Sequence, residues 1–323
     1  MSLLRYHGFN NWQKMVLPEE EDIKDNIICF GFELEVTQDV NIDYDYSYNN
    51  HSPEDLADRL NQEFGNLFVY ERDSSIDNGV EIISQPMSLK FYLANLNKFK
   101  KMIEICKEFK YISHDSGKCG LHIHFSRSAF GFNKKDYDKY VEKIGNKIYK
   151  VEKLRISKTI ENICLILETY KNEFIKISGR NEYQIQRWCS FETVDNNSDI
   201  LEIKSIIKEK FRGRNTNRRK VVNTNNEKTI EIRLCRGTLL WESLHTKILL
   251  MYHLVDIARN YTGLLSFKKI ILWKESQENI DIIKNYIENN SNISKRINID
   301  EVTRKVSLSL DTEFRINSVD FMK

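Results

Sequence analysis

Phe30-Gly31-Phe32-Glu33-Leu34-Glu35-Val36 alternates apolar and acidic side chains on a two-residue period. That is the pattern of a β-strand, whose successive side chains point to opposite faces. Phe32, Leu34 and Val36 then face a core, and Glu33 and Glu35 share the other face, roughly 7 Å apart at the usual strand rise. Two carboxylates hemmed in by apolar residues repel each other unless something neutralises them. A divalent cation does so, and glutamate oxygens are the hard ligands that Mg²⁺ or Mn²⁺ prefers. A lone Glu-x-Glu more often marks a solvated strand face, but here the design recurs.

Cys119-Gly-Leu-His-Ile-His-Phe125 places His122 and His124 on one face and Leu121, Ile123 and Phe125 on the other. Lys228-Thr-Ile-Glu-Ile-Arg-Leu234 does the same with Glu231 and Arg233 against Ile230, Ile232 and Leu234. In Val80-Glu-Ile-Ile-Ser84 the single charge is Glu81. If these strands share one antiparallel sheet, one face packs on helices and the other is lined with Glu, His and Arg. Charge repulsion and desolvation make such a face costly unless it works as a catalytic groove. The fold class expected is α+β.

Helices fill the intervals. Ser52-Pro53-Glu54-Asp55 starts one that runs to about Phe64. Apolar positions at helical spacing predict others over 88–109, 134–155, 157–177, 199–211 and 240–260. Arg72–Gly79 has turn chemistry, and Asp73 fits there simply as a turn residue. Asn181–Ser198 reads as loop, and 212–220 as a very basic loop, a candidate lid over phosphates. His245 and His253 read as packing residues on the 240–260 helix.

A chain of 323 residues can bury a full core. Its formal charge of +2 supplies no electrostatic argument for nucleic acid or membrane. The N-terminus lacks the apolar core of a signal peptide, and the most apolar run, 239–257, is interrupted by charges, which argues against a membrane span. The six cysteines are scattered without a Cys-x-x-Cys pair, so the expectation is reduced thiols and a cytoplasmic protein.

These stretches together resemble the amidoligase family of the glutamine-synthetase-like carboxylate–amine ligase superfamily, found in phages, bacteria and fungi. The resemblance rests on Gly31–Val36, Asp73-Ser74 ahead of Gly79–Pro86, Cys119–Phe125, Gly179-Arg180, and Thr229–Arg233 with Gly237-Thr-Leu239. Order and spacing match over about residues 28–260. The sequence departs at Gln85, where the family commonly has Pro, and at Lys220-Val-Val-Asn223, where an Arg is more usual.

The resemblance implies a curved glutamine-synthetase-like antiparallel sheet packed by helices. It implies a catalytic domain over 28–262; outside the resemblance, the polar residues 1–27 read as a peripheral segment and 263–323 as a helical C-terminal extension. It also implies ATP held with Mg²⁺ (or Mn²⁺): Glu33, Glu35, Glu81, His122 and Glu231 as metal ligands, His124 and Arg233 on the nucleotide phosphates, and Arg180 with Arg233 stabilising the transferring phosphoryl group or the substrate carboxylate. The implied activity is amide-bond formation through an acyl phosphate, between carboxylate and amine substrates that are small molecules, peptides or proteins. Two alternatives stay open: an ATP phosphotransferase on the same scaffold, and a zinc-dependent hydrolase using Cys119, His122 and His124.

Overall fold

The computed structural model describes residues 2–5, 27–39, 51–72, 76, 78–113, 116–193, 200–212, 218–273, 277–289, 297 and 299–310. The chain divides into two compact units. Unit 1 is Met1–Glu21, Cys29–His124 and Arg233–His245; unit 2 is Asp22–Ile28, Phe125–Ile232 and Thr246–Lys323.

The strands are β1 (Leu3–Leu4), β2 (Cys29–Gln38), β3 (Phe68–Glu71), β4 (Gly79–Ser84), β5 (Met87–Ser88), β6 (Tyr111–Ile112), β7 (Gly120–Ser126), β8 (Val222–Asn223), β9 (Thr229–Arg236), β10 (Gly263–Ser266) and β11 (Lys305–Leu308). In unit 1 the order is β1-β3-β4-β2-β7, followed by the C-terminal half of β9, and β5 and β6 also pair with β2. In unit 2, β8 pairs with the N-terminal half of β9, Asn223 opposite Glu231. The pairs of β4 with β2 and β3, of β5 and β6 with β2, and of β8 with β9 are antiparallel. The two-residue edge strand β1 is parallel to its neighbour β3.

The helices are α1 (Pro53–Phe64), α2 (Leu89–Ala94), α3 (Leu96–Glu108), α4 (Lys134–Ile144), α5 (Ile148–Thr169), α6 (Lys171–Ser178), α7 (Glu182–Trp188), α8 (Ile200–Arg212), α9 (Trp241–Asn260), α10 (Phe267–Ile271) and α11 (Gln277–Asn289). The fold is α+β, as the alternating strands predict. The start of α1 is the one the sequence marks: Ser52 and Asp55 cap each other's backbone N–H groups, with Pro53 at the first position.

Several boundaries differ from the sequence reading. The helix expected over 88–109 breaks at Asn95, whose side chain donates to the Phe91 carbonyl. The helices expected over 134–155 and 157–177 re-divide. Gly145 (φ +54) ends α4, and α5 then runs unbroken through Ile156 to Thr169 because no Gly or Pro interrupts it. Within the expected loop 181–198, α7 forms through a capping box between Asn181 and Gln184. The C-terminal stretch, read as helical, contains the antiparallel pair β10–β11. Lys305-Val-Ser-Leu308 alternates exposed and buried, a strand period too short to stand out in sequence. The reading of Asp73 and the central part of the basic loop, 213–217, lie outside the described residues.

In unit 1 the apolar face of β2 anchors an aromatic core. Phe30, Phe32, Leu34 and Val36 are all buried. Phe32 packs 5.9 Å from Phe99 of α3 and 6.3 Å from Phe68 of β3, and Tyr92 of α2 closes on Phe99 at 4.9 Å. In unit 2, Tyr170 donates to the Leu265 and Arg304 carbonyls and packs on Phe267, joining the end of α5 to the β10–β11 pair.

The two histidines read as packing residues are core residues. His245 stacks on Trp241 and shares a hydrogen bond with the Tyr92 hydroxyl. His253 is fully buried on α9. Burial pushes each imidazole down to about 4. The folded-state pKa lies below the unfolded value of about 6.5. Their contribution is therefore complete above about pH 6.5 and is lost as pH falls towards 4. Each shift corresponds to about 3 kcal/mol. The chain is expected to lose thermal stability steeply between pH 6.5 and 4, and His253→Gln is expected to flatten that fall, as read by calorimetry across the pH range.

Candidate active site

The register of unit 1 builds the polar face. Pairing of β2 with β4 sets Glu35 opposite Glu81, and pairing of β4 with β3 sets Glu81 opposite Glu71. Directly opposed residues share a face, so three carboxylates form a row across three strands. All three are buried, at 6, 5 and 4% exposure, where unpaired charge is costly. Glu71 was not singled out from sequence: β3 is only four residues long, and a lone Glu at its end carries no periodic signal.

Glu33, two residues along β2, sits between two imidazoles. Its Oε2 lies 3.2 Å from His122 Nδ1 and its Oε1 lies 2.8 Å from His124 Nε2. Burial opposes ionisation of Glu33. The charge of His124 and the hydrogen bonds and charge of the two rings outweigh it and hold the carboxyl well below the usual range.

Glu35 is held differently. Its Oε2 accepts the Gly120 backbone N–H at 2.5 Å, and its Oε1 lies 3.9 Å from His122 Nε2. The backbone of the same residue accepts from the buried Ser113 hydroxyl at 2.7 Å. Gly237 N–H donates to the Cys119 carbonyl, fixing the start of β7. Gly120 of Cys119-Gly-Leu-His thus serves as a backbone donor to the Glu-x-Glu strand.

Ligand atoms of Glu33, Glu81 and His122 all lie within 4.8 Å of one another. Two carboxylates and one imidazole converging from two neighbours of β2 and β2 itself suit a hard divalent cation with some nitrogen tolerance. Cys119 is buried and takes part in no such cluster among the described residues, so the zinc-hydrolase set of Cys119, His122 and His124 is not assembled.

The remaining predicted residues fall as follows. Arg233 is half-buried on the unit 1 part of β9. Glu231 and Arg180 belong to unit 2 and are both buried. Glu231 accepts a 2.7 Å hydrogen bond from Asn223, its cross-strand partner on β8. Asn223 is thus a positioning partner, and its signal in the sequence was the Val-Val-Asn run that precedes β9. Arg180 follows Gly179, which ends α6 in the left-handed conformation (φ +75). Its backbone N–H donates to Ser178 Oγ.

A largely buried cluster of carboxylates and histidines on the polar face of a mostly antiparallel sheet defines a candidate cation-dependent enzyme site. The family comparison makes the class specific. The model of the family described as "putative amidoligase enzyme" matches residues 70–255, more than half of the 323. The chain belongs to that amidoligase family. Among curated proteins none matches the sequence. Among solved structures, the chain is similar to one in the crystal structure of the complex between the prokaryotic ubiquitin-like protein Pup and its ligase PafA. The identity is 12%, the TM-score is 0.36, and the match covers 92% of this chain. The chain spans 65% of the length of that structure's chain. No helix among the described residues is long and apolar enough to cross a membrane.

Proposed function

We propose that this protein forms an amide bond between a carboxylate and an amine at the expense of ATP, through an acyl phosphate, with Mg²⁺ or Mn²⁺ as cofactor. The observation that carries the reading is the convergence of Glu33, Glu81 and His122 within 4.8 Å in a chain of the amidoligase family. The donor set fits the cation: oxygen-rich, with Glu81 and His122 buried and Glu33 half-buried and held in its charged form.

In this reading Glu33, Glu81 and His122 would hold the cation, with Glu35 beside them on the polar face of unit 1, and Glu231 is a further proposed ligand. A cation bound by these residues would supply charge screening on phosphoryl oxygens, the main task in phosphoryl transfer. Gly120 and Asn223 keep Glu35 and Glu231 in fixed orientations, which lowers the reorganisation needed when substrates bind. His124 and Arg233 serve the nucleotide phosphates. Arg180 and Arg233 serve the phosphoryl group in transfer or the substrate carboxylate. The family supports a ligase over a phosphotransferase, because activation of the carboxylate is followed by attack of an amine. Residues 28–262 would form the catalytic domain of a cytoplasmic enzyme, acting on a small-molecule, peptide or protein carboxylate.

Thermal unfolding with EDTA, Mg²⁺, Mg²⁺ plus a non-hydrolysable ATP analogue, and Zn²⁺ tests the reading. Mg²⁺ and nucleotide together are expected to stabilise the chain by about 2.7 kcal/mol at a hundredfold excess over the dissociation constant. A rise with Zn²⁺ alone, indifferent to nucleotide, overturns it. ADP release that needs both a carboxylate and an amine separates the ligase from a phosphotransferase.

A further inference from the structure

Unit 2 carries an exposed ladder of alternating aromatic rings and guanidiniums. Tyr183 on α7 is 63% exposed. Arg187, one turn later, donates to the Tyr183 hydroxyl at 2.6 Å, with its guanidinium 5.9 Å from the Tyr183 ring centroid and 4.8 Å from that of Trp188. The Arg219 guanidinium lies over the Trp188 ring at 5.6 Å. Arg187, Arg218 and Arg219 are all exposed, and Trp188 is half-buried.

The ladder stands on braced backbone. Ser190 N–H donates to the Arg219 carbonyl, and Val221 N–H donates back to Ser190. Lys220 Nζ reaches the Phe191 carbonyl and pairs with Glu192, both at 3.1 Å. Glu168, buried at 3% exposure, accepts from the Glu192 and Thr193 backbone N–H groups and from the Thr193 hydroxyl. Lys171 holds the Thr193 carbonyl. A buried carboxylate with three donors ties residues 190–193 to α5, so the arginines are presented by a fixed frame.

We infer that this ladder docks an acidic polypeptide segment, such as a carboxylate-rich stretch of a protein or peptide substrate. Planar guanidiniums pre-oriented on aromatic rings match carboxylates in a fork geometry, and less side-chain entropy is lost on binding. Nucleic acid fits less well. Guanidiniums already cover the Trp188 ring, where a base would stack, and the chain's charge of +2 gives no extended basic field. Glu192 is paired with Lys220, which leaves exposed Glu182, next to Tyr183 on α7, as the acidic residue within the ladder's own helix. The use of the docked segment as substrate rests on the ligase reading; the docking does not.

The test is binding of fluorescently labelled poly-L-glutamate to the full chain, without nucleotide or metal, with oligo(dT) as the rival polyanion. Poly-L-glutamate is expected to bind saturably and to weaken with salt. The double variant R187A/R219A is expected to lose about tenfold or more in affinity, and R187K/R219K less. No saturable binding, equal binding by R187A/R219A, or arginine-dependent binding of oligo(dT) in place of poly-L-glutamate overturns the proposal. Circular dichroism checks that the variants fold, which exposed positions favour. The nucleotide-dependent thermal shift, expected unchanged in R187A, reads the ligase function separately. Its absence from the wild-type chain, with poly-L-glutamate still bound, overturns the ligase reading and leaves the docking surface standing.

Discussion

Glu33→Gln is expected to abolish the joint stabilisation by Mg²⁺ and nucleotide while leaving the unliganded chain folded. The amide keeps the volume of the carboxylate and one acceptor but loses the charge. Glu33 is the group that both imidazoles address, at 3.2 and 2.8 Å, and it belongs to the cluster with Glu81 and His122. Losing an outer partner of a metal ligand costs about 10–100-fold in affinity or activity. Losing a ligand itself should cost at least the upper end of that range, in both cation affinity and turnover. The unliganded chain should lose stability at neutral pH yet stay folded, because the pairing of Glu33 with the two histidines outweighs the desolvation of its charge. Thermal unfolding and ADP release measure both sides. A variant that keeps the ligand-induced rise removes Glu33 from the cation site. One that unfolds without ligand makes its role structural.

Gly237→Ala is expected to destabilise the chain by about 2–3 kcal/mol and to weaken the cation-dependent shift as well. A Cβ at this position would come within 2.3 Å of Ser113 Oγ, 2.9 Å of the Gly120 carbonyl oxygen and 3.2 Å of the Cys119 carbonyl carbon. Ser113 cannot swing aside cheaply, because its hydroxyl is fully buried and donates to the Glu35 backbone. The strain therefore passes to Cys119-Gly120, whose N–H holds the Glu35 carboxylate. Gly65→Ala is the control. It meets open space, and its cost comes from φ +54 alone, about 1 kcal/mol. Chemical denaturation should separate the two variants. Equal, small losses would show that the Gly237 contact relaxes without reaching the site.

How much of this was legible in sequence varies by residue. The period of two in β2, β7 and β9 places Glu33 with Glu35, His122 with His124 and Glu231 with Arg233 whatever the neighbours, because strand geometry alone sets the alternation. The cap of α1 was equally local, carried by Ser52, Pro53 and Asp55. The capping box of α7 was local too, in Asn181 and Gln184, but it lay within a polar stretch whose apolar period spans less than two turns. The strand pair β10–β11 was hidden for a different reason: its two members are about forty residues apart, and neither is longer than four residues.

The sequence by itself determined which side chains share a face within each strand, the order of the motifs, and the family they spell out. Those follow from backbone geometry over a few residues. Only the tertiary structure decided which faces meet: that Glu35 stands opposite Glu81 and Glu81 opposite Glu71, that Glu33 lies between two histidines eighty-nine and ninety-one positions away, and that Asn223 holds Glu231. Register and strand order are set by which apolar faces bury together, as when Phe32 closes on Phe68 and Phe99, and that is a property of the whole core.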